Sequence, residues 1–192
     1  MLNITDGKIV DAKVVLQLQP LIERGPMKQV NGIIVHQTGG ATAASALASY
    51  ATGAAGAHLL LDRDGTVYQT ARLNQTTWHV GKLRPRCVAE LKCPKPKKWD
   101  PVGTHAVERA KAWPDRYPSN ADAIGIELVS KFDVKTRQYE VVSPQQNAAL
   151  KWLVEELLFS LKVPMTEVFR HPDVSYKEPS EAASADWQVR TP

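Results

Sequence analysis

The sequence predicts an α/β fold: one domain with a central mixed β-sheet flanked by helices. Three observations lead there. Strand-like apolar runs alternate with helical stretches. An Asp64-Gly65 turn between two apolar runs adds an antiparallel hairpin. One long segment carries an apolar stripe at helical spacing. With 192 residues, 43% hydrophobic and 23% charged, the chain is long enough for one sizeable core and short for two, so the domain is expected to span 1–192. This composition excludes global disorder and a fibrous repeat. Runs as short as Ile33-Ile34-Val35 predict no membrane insertion.

The elements follow in order. Short strands are expected at Lys8–Val10 and 13–18, broken by Pro20 and Gly25-Pro26. Residues 32–36 form an apolar run without alternation, the pattern of a strand buried on both faces, and it ends in His36. Residues 41–51 are alanine-rich and read as a helix ended by Gly53 and Gly56. The hairpin around Asp64-Gly65 comes next. Residues 81–120 contain six prolines and read as a long irregular loop with a short helix at 104–113. From Ile124 to Leu128 the residues alternate, with Ile124, Ile126 and Leu128 on one face and Glu127 on the other. Residues 143–162 give the clearest helix. Ser143 caps it, Pro144 takes the first helical position, and Gln146 completes a capping box. Leu150, Leu153, Val154, Leu157, Leu158 and Leu161 mark its buried stripe. A short strand at 167–170 ends at His171.

The formal net charge of +4 is concentrated in one place. Between positions 82 and 98, Lys82, Arg84, Arg86, Lys92, Lys95, Lys97 and Lys98 face Glu90 alone, so the rest of the chain is net negative. Such a patch suits an anionic polymer or an acidic partner, the plain alternative being a solvated basic loop. Nucleic acid is not expected, because Trp99 is nearly alone among the aromatics that would stack on bases. Cys87 and Cys93 lie in the same loop without C-x-x-C spacing; they are either a small disulfide in an oxidising compartment or two free thiols. The first seven residues predict no secretory signal.

Two predicted strands end in a histidine followed by loop, His36 and His171. Neutral imidazole is a common zinc ligand, and a catalytic zinc takes three protein ligands with one position open. Asp173, Glu178, Glu181 and Asp186 follow His171 as carboxylate candidates. For either histidine alone, the plain reading is a hydrogen-bonded structural residue. Glu127 interrupts an apolar strand, where burying a carboxylate costs several kcal/mol. It either faces solvent or faces a cleft, where it can accept a proton.

Several segments, in order, resemble the zinc amidases of the type-2 N-acetylmuramoyl-L-alanine amidase and peptidoglycan-recognition-protein superfamily. They are Ile33-Ile34-Val35-His36-Gln37-Thr38; Ala57-His58-Leu59 through Tyr68-Gln69; Trp78-His79-Val80-Gly81; Ile124-Gly125-Ile126-Glu127-Leu128; and Phe169-Arg170-His171-Pro172-Asp173-Val174. The resemblance implies that superfamily's amidase fold, a Zn²⁺ held by His36 and His171, Glu127 as general base, and a substrate groove lined by Trp78 and His79. It also implies that Lys177 stabilises the oxyanion. The catalytic tyrosine of the phage-lysozyme branch is Ala57 here, so the arrangement is closer to that of the bacterial recycling amidases. Where the family has Lys-x-Asp-Pro-Gly, this chain has Lys177-Glu178-Pro179-Ser180-Glu181. The resemblance to the recycling-type members, whose aspartate ligand has the spacing of Glu181 from His171, implies Glu181 as third ligand, then Glu178, then Asp186. His58 is expected to hydrogen-bond beneath the site and His105 to lie on the surface.

The activity so implied is hydrolysis of the amide between the lactyl group of N-acetylmuramic acid and L-alanine, in peptidoglycan or a muropeptide. A non-catalytic peptidoglycan-binding module is the alternative, decided by the third ligand. The 82–120 loop exceeds a minimal amidase and is expected to shape the groove or to dock an immunity protein or secretion-system component. Three settings fit: cytoplasmic recycling of wall fragments, a phage lysin, or an effector delivered to the periplasm of a target cell.

Overall fold

A small hairpin opens the chain. Strands β1 (Asn3–Thr5) and β2 (Lys8–Val10) pair antiparallel through Asp6 and Gly7. Both turn residues have positive φ, 50° and 71°, which matches the twist of a two-residue hairpin. The computed structural model describes residues 1–53 and 55–188. Its remaining strands are β3 (Val14–Leu16), β4 (Gly32–Gly39), β5 (Leu59–Leu61), β6 (Val67–Gln69), β7 (Ala123–Asp133), β8 (Gln138–Tyr139) and β9 (Val168–Arg170). They form one mixed sheet in the order β3-β6-β5-β7-β4-β9, with β8 added along β7. The β5–β6 and β7–β8 pairs are antiparallel; β3–β6, β5–β7, β4–β7 and β4–β9 are parallel.

Residue alternation assigns each face of the sheet. Ile33 and Val35 of β4 and Ile124, Ile126 and Leu128 of β7 join one core with Leu150, Leu153, Val154 and Leu157 of the long helix α4 (Pro144–Leu161). Ser143 caps α4 with both hydrogen bonds of a capping box, as the sequence predicts. On the opposite face, Leu60 and Val129 pack on α1 (Ala43–Tyr50), and Ile34 and Ala123 pack on Val80, Leu83 and Val174. Central strand β4 is buried on both faces from Gly32 to Gln37, in keeping with its unalternating sequence.

The 82–120 segment is more ordered than its prolines suggest. It contains two helices, α2 (Arg86–Ala89) and α3 (Pro101–Ala110). Pro101 does not interrupt α3 but occupies its first turn, with the Asp100 side chain accepting from the Gly103 N–H as cap. The helix therefore begins earlier than 104. The Arg86 guanidinium forks onto Glu167 at 2.7 and 2.9 Å, and the Trp113 indole donates to the same carboxylate. Cys87 and Cys93 are disulfide-bonded, with Cα atoms 5.4 Å apart. His105 is half-buried, not a free surface group: its Nδ1 accepts from the Leu83 N–H. No helix among the described residues is long and apolar enough to cross a membrane.

Candidate active site

Parallel pairing assembles the site. His36 of β4 is in register with Glu127 of β7, so both side chains leave the sheet face that α4 does not cover. On the other side of β4, Val35 is in register with Arg170 of β9, which brings the next residue, His171, beside His36. Helix α5 (His171–Val174) starts there. The His36 and His171 rings lie 4.1 Å apart between centroids. The site thus lies over the middle of β4 and β7, beside the point where β9 ends.

Glu181 completes the cluster. Its Oε1 lies 2.8 Å from His171 Nδ1 and 3.6 Å from His36 Nδ1. All three residues are buried, and one ligand atom from each falls within 4.8 Å of the others. Buried Gln37, next to His36 in sequence, holds Glu181 in place: its Oε1 accepts from the Ala182 N–H at 2.7 Å, and its amide donates to the Glu140 carbonyl. Ala182 has φ of 54°, a conformation costing a residue with a Cβ about 1–2 kcal/mol. The bond from Gln37 offsets part of that cost. The other three carboxylate candidates are engaged outside the cluster. Asp173 pairs with Arg170, Glu178 pairs with Arg137, and Asp186 accepts from the Gln188 N–H.

The outer ring nitrogens fix the tautomers. His79 Nε2 contacts the Ala123 carbonyl at 3.2 Å, so it carries the proton and leaves Nδ1 as acceptor. His36 Nε2, 3.0 Å from that Nδ1, is then the donor, and His36 Nδ1 is bare. His171 Nε2 donates to the Val80 carbonyl at 2.8 Å. Its Nδ1 faces the Glu181 carboxylate at 2.8 Å. A neutral ring cannot donate to both oxygens, so a proton or a cation belongs between Nδ1 and Glu181. This is the outer-shell pattern that orients histidine ligands toward a metal. Burial and the neighbouring His171 hold His36 down to about 4, with Glu181 opposing, so the ring is neutral near pH 7. Burial works to raise Glu181, but the hydrogen bond with His171 and the closeness of both imidazoles prevail and take it down to about 2. The two inward imidazole nitrogens and an ionised carboxylate make a zinc-type donor set.

Glu127 stands beside this set. Its Oε2 is sealed from solvent and has no hydrogen-bond partner among the described residues. Burial, reinforced by the Glu181 charge and opposed by Lys177, pushes its carboxyl up to about 8. Together these residues line a cleft of about 420 Å³ that also includes Trp78, His79, Tyr139 and Lys177. Trp78 is 54% exposed, with the Arg24 guanidinium 4.1 Å from its ring centroid. Lys177 is exposed and its stem lies near Gly81. His58 is buried beneath, accepting from the Gly125 N–H and donating to the Gln75 carbonyl, as the sequence suggests. The role of His79 as the hydrogen-bond partner of His36, and those of Gln37 and Asn120, are not readable from sequence. Asn120 Oδ1 accepts from the His79 and Val80 N–H groups.

Residues 26–186 match the family described as N-acetylmuramoyl-L-alanine amidase. No curated protein sequence matches the chain. Among solved structures it is similar to a selenomethionine derivative of AmpD (TM-score 0.62, 17% identity, covering 96% of this chain and 95% of that one). It is also similar to the catalytic domain of XlyA (0.53, 20%, covering 88% and 89%) and to the amidase LysC from Clostridium intestinale (0.51, 20%, covering 88% of each). At these identities the likeness establishes a shared fold. The family match is the wider finding: because it runs through every element that builds the site, the chain belongs to the N-acetylmuramoyl-L-alanine amidase family.

Proposed function

We propose that the protein is a zinc-dependent hydrolase that cuts the amide between the lactyl group of N-acetylmuramic acid and L-alanine of a stem peptide. The observation that carries this reading is the meeting of His36, His171 and Glu181 around one point, beside a Glu127 oxygen that has no hydrogen-bond partner among the described residues. His36 Nδ1, His171 Nδ1 and a Glu181 oxygen would hold the metal. When bound, zinc acidifies a water and polarises an amide carbonyl.

The chain's own groups do the rest. Glu127, pushed up to about 8, is matched to proton exchange near neutral pH. Its carboxylate accepts a proton from the attacking water, and the resulting acid passes that proton to the alanine nitrogen as the C–N bond breaks. Lys177 provides a cation for the oxygen on which negative charge collects. His79 keeps His36 in the tautomer that presents Nδ1. Trp78 offers an exposed face to the glycan or the stem peptide. The products are a muramyl glycan and a free stem peptide.

Digestion of purified sacculi, followed by mass analysis, tests this. Release of stem peptides with a free L-alanine amine from intact glycan is expected. Soluble fragments cut within the sugar backbone or within the peptide contradict it. A module that binds without cutting, the other reading of the sequence, is disfavoured by the complete donor set and the adjacent base. The Cys87–Cys93 bridge supports work in an oxidising compartment, as for a lysin or an effector delivered to a periplasm. Expression with and without an export signal checks this: lysis on export alone is expected, and lysis without export contradicts it.

A further inference from the structure

A second cleft, of about 800 Å³, adjoins the active one. The two share a wall, the 81–84 and 174–177 segments joined by the Leu83–Ser175 bridge. Gly81 and Lys177 line the active cleft, whereas Arg84 and Tyr176 line the second. Trp99, 79% exposed, stands edge-on to Tyr176 with centroids 4.9 Å apart. An indole left so open beside a cleft marks a contact surface. Arg84, Lys95 and Lys98 add positive charge around it. The two acids on the lining are already engaged: Asp100 caps α3, and Asp173 pairs with Arg170 at 3.0 Å. Lys92 pairs with Glu90, but among the described residues Lys95 and Lys98 have no carboxylate partner. The disulfide and the Arg86–Glu167 fork hold the α2 end of this wall in place before any ligand arrives.

We propose that this cleft binds a second, carboxylate-bearing segment of the wall polymer, a stem peptide neighbouring the one being cut. The proposal rests on the amidase reading and extends it: the enzyme grips its polymer at two points, with ring and amide faces against Trp99 and Tyr176 and carboxylates against Lys95 and Lys98. The charge of the rim calls for an anionic occupant, and its shared wall with the active cleft favours the polymer being cut over an acidic protein. Two-point attachment raises apparent affinity for a polymer without altering the handling of a small fragment.

Two measurements test it. The first is sacculus binding by Glu127→Gln protein, with and without Trp99→Ala or the pair Lys95→Glu and Lys98→Glu. The second is kcat/KM of the otherwise unaltered enzyme and of the same groove variants, on sacculi and on a soluble N-acetylmuramoyl pentapeptide. The groove changes are expected to weaken sacculus binding and to lower kcat/KM on sacculi about ten-fold, through KM, with the soluble fragment turned over at the parent rate. The lysine contribution should shrink as salt rises. Unchanged binding to sacculi overturns the proposal. Equal losses on both substrates also overturn it, making the groove a structural support. Groove-dependent retention on poly-L-glutamate with unchanged sacculus binding overturns it in favour of an acidic protein partner. If the enzyme cuts neither substrate while the groove variants still lose sacculus binding, the amidase reading fails and the groove assignment stands.

Discussion

At Glu127, the burial that makes a carboxyl costly also sets its use. Glu127→Gln keeps the shape and removes the base; turnover is expected to fall about 10²–10⁴-fold with bound zinc unchanged, read by peptide release and metal content on the same sample. Its pH signature follows from the shift. The unfolded chain ionises this group near 4.5, the folded protein only near 8. Between those values the native state holds more protons, so its stability falls as pH rises through the window. In metal-free protein, Glu127→Gln should therefore gain on the parent progressively from about pH 4.5 to 8, by a few kcal/mol in order of magnitude; a gap in denaturant midpoint that does not grow with pH contradicts this. Gly125 gives a second test. A Cβ there would lie 2.7 Å from His79 Nδ1, so Gly125→Ala should displace the ring that orients His36. Zinc affinity is expected to drop about 10–100-fold, measured by chelator competition, while the fold survives. His36, His171 and Glu127 were legible because each stands out locally, as a histidine closing an apolar run or a lone charge among apolar neighbours. Yet β4 runs on past His36 to Gly39 and His171 opens α5, so neither histidine ends its strand as expected. Gln37, His79 and Asn120 were not legible in these roles, since their partners lie between 40 and 145 residues away in sequence.

Among the elements, α4 shows how local signals suffice when they agree: its cap, its first-turn proline and its stripe all point to one helix. Leu153 is fully buried on that stripe, and Leu153→Ala should cost about 2–5 kcal/mol, read from urea midpoints. The 82–120 segment shows the opposite case. Proline spacing predicts irregular chain, yet Pro101 starts a helix and the segment is tied down by Arg86, whose partner Glu167 lies 81 residues on. Both side chains of that pair are largely buried, 11% and 5% exposed. Glu167→Ala leaves the guanidinium with Glu90 as its remaining carboxylate partner and the Trp113 indole without its acceptor. It is expected to cost about 1–3 kcal/mol and to open the segment to limited proteolysis before the rest of the domain unfolds.

For the molecule as a whole, the register of β4 decides whether there is a site at all. A one-residue slip would turn His36 into the α4 core and separate it from Glu127. The apolar alternation of β7 made its faces legible from sequence; the order of strands, which puts β7 and β9 on either side of β4, was not, because pairing between distant segments leaves no local trace. The proposed ligands come from β4, α5 and the 181 loop, segments far apart in the chain, so zinc should stabilise the whole fold by about 2.7 kcal/mol at a hundredfold excess over Kd. The most direct measurement is the zinc content of protein purified without added metal. About one equivalent in the parent, with large losses in His36→Ala and Glu181→Ala at unchanged secondary structure, is the expected result; full zinc retained in either variant would contradict the three-ligand centre.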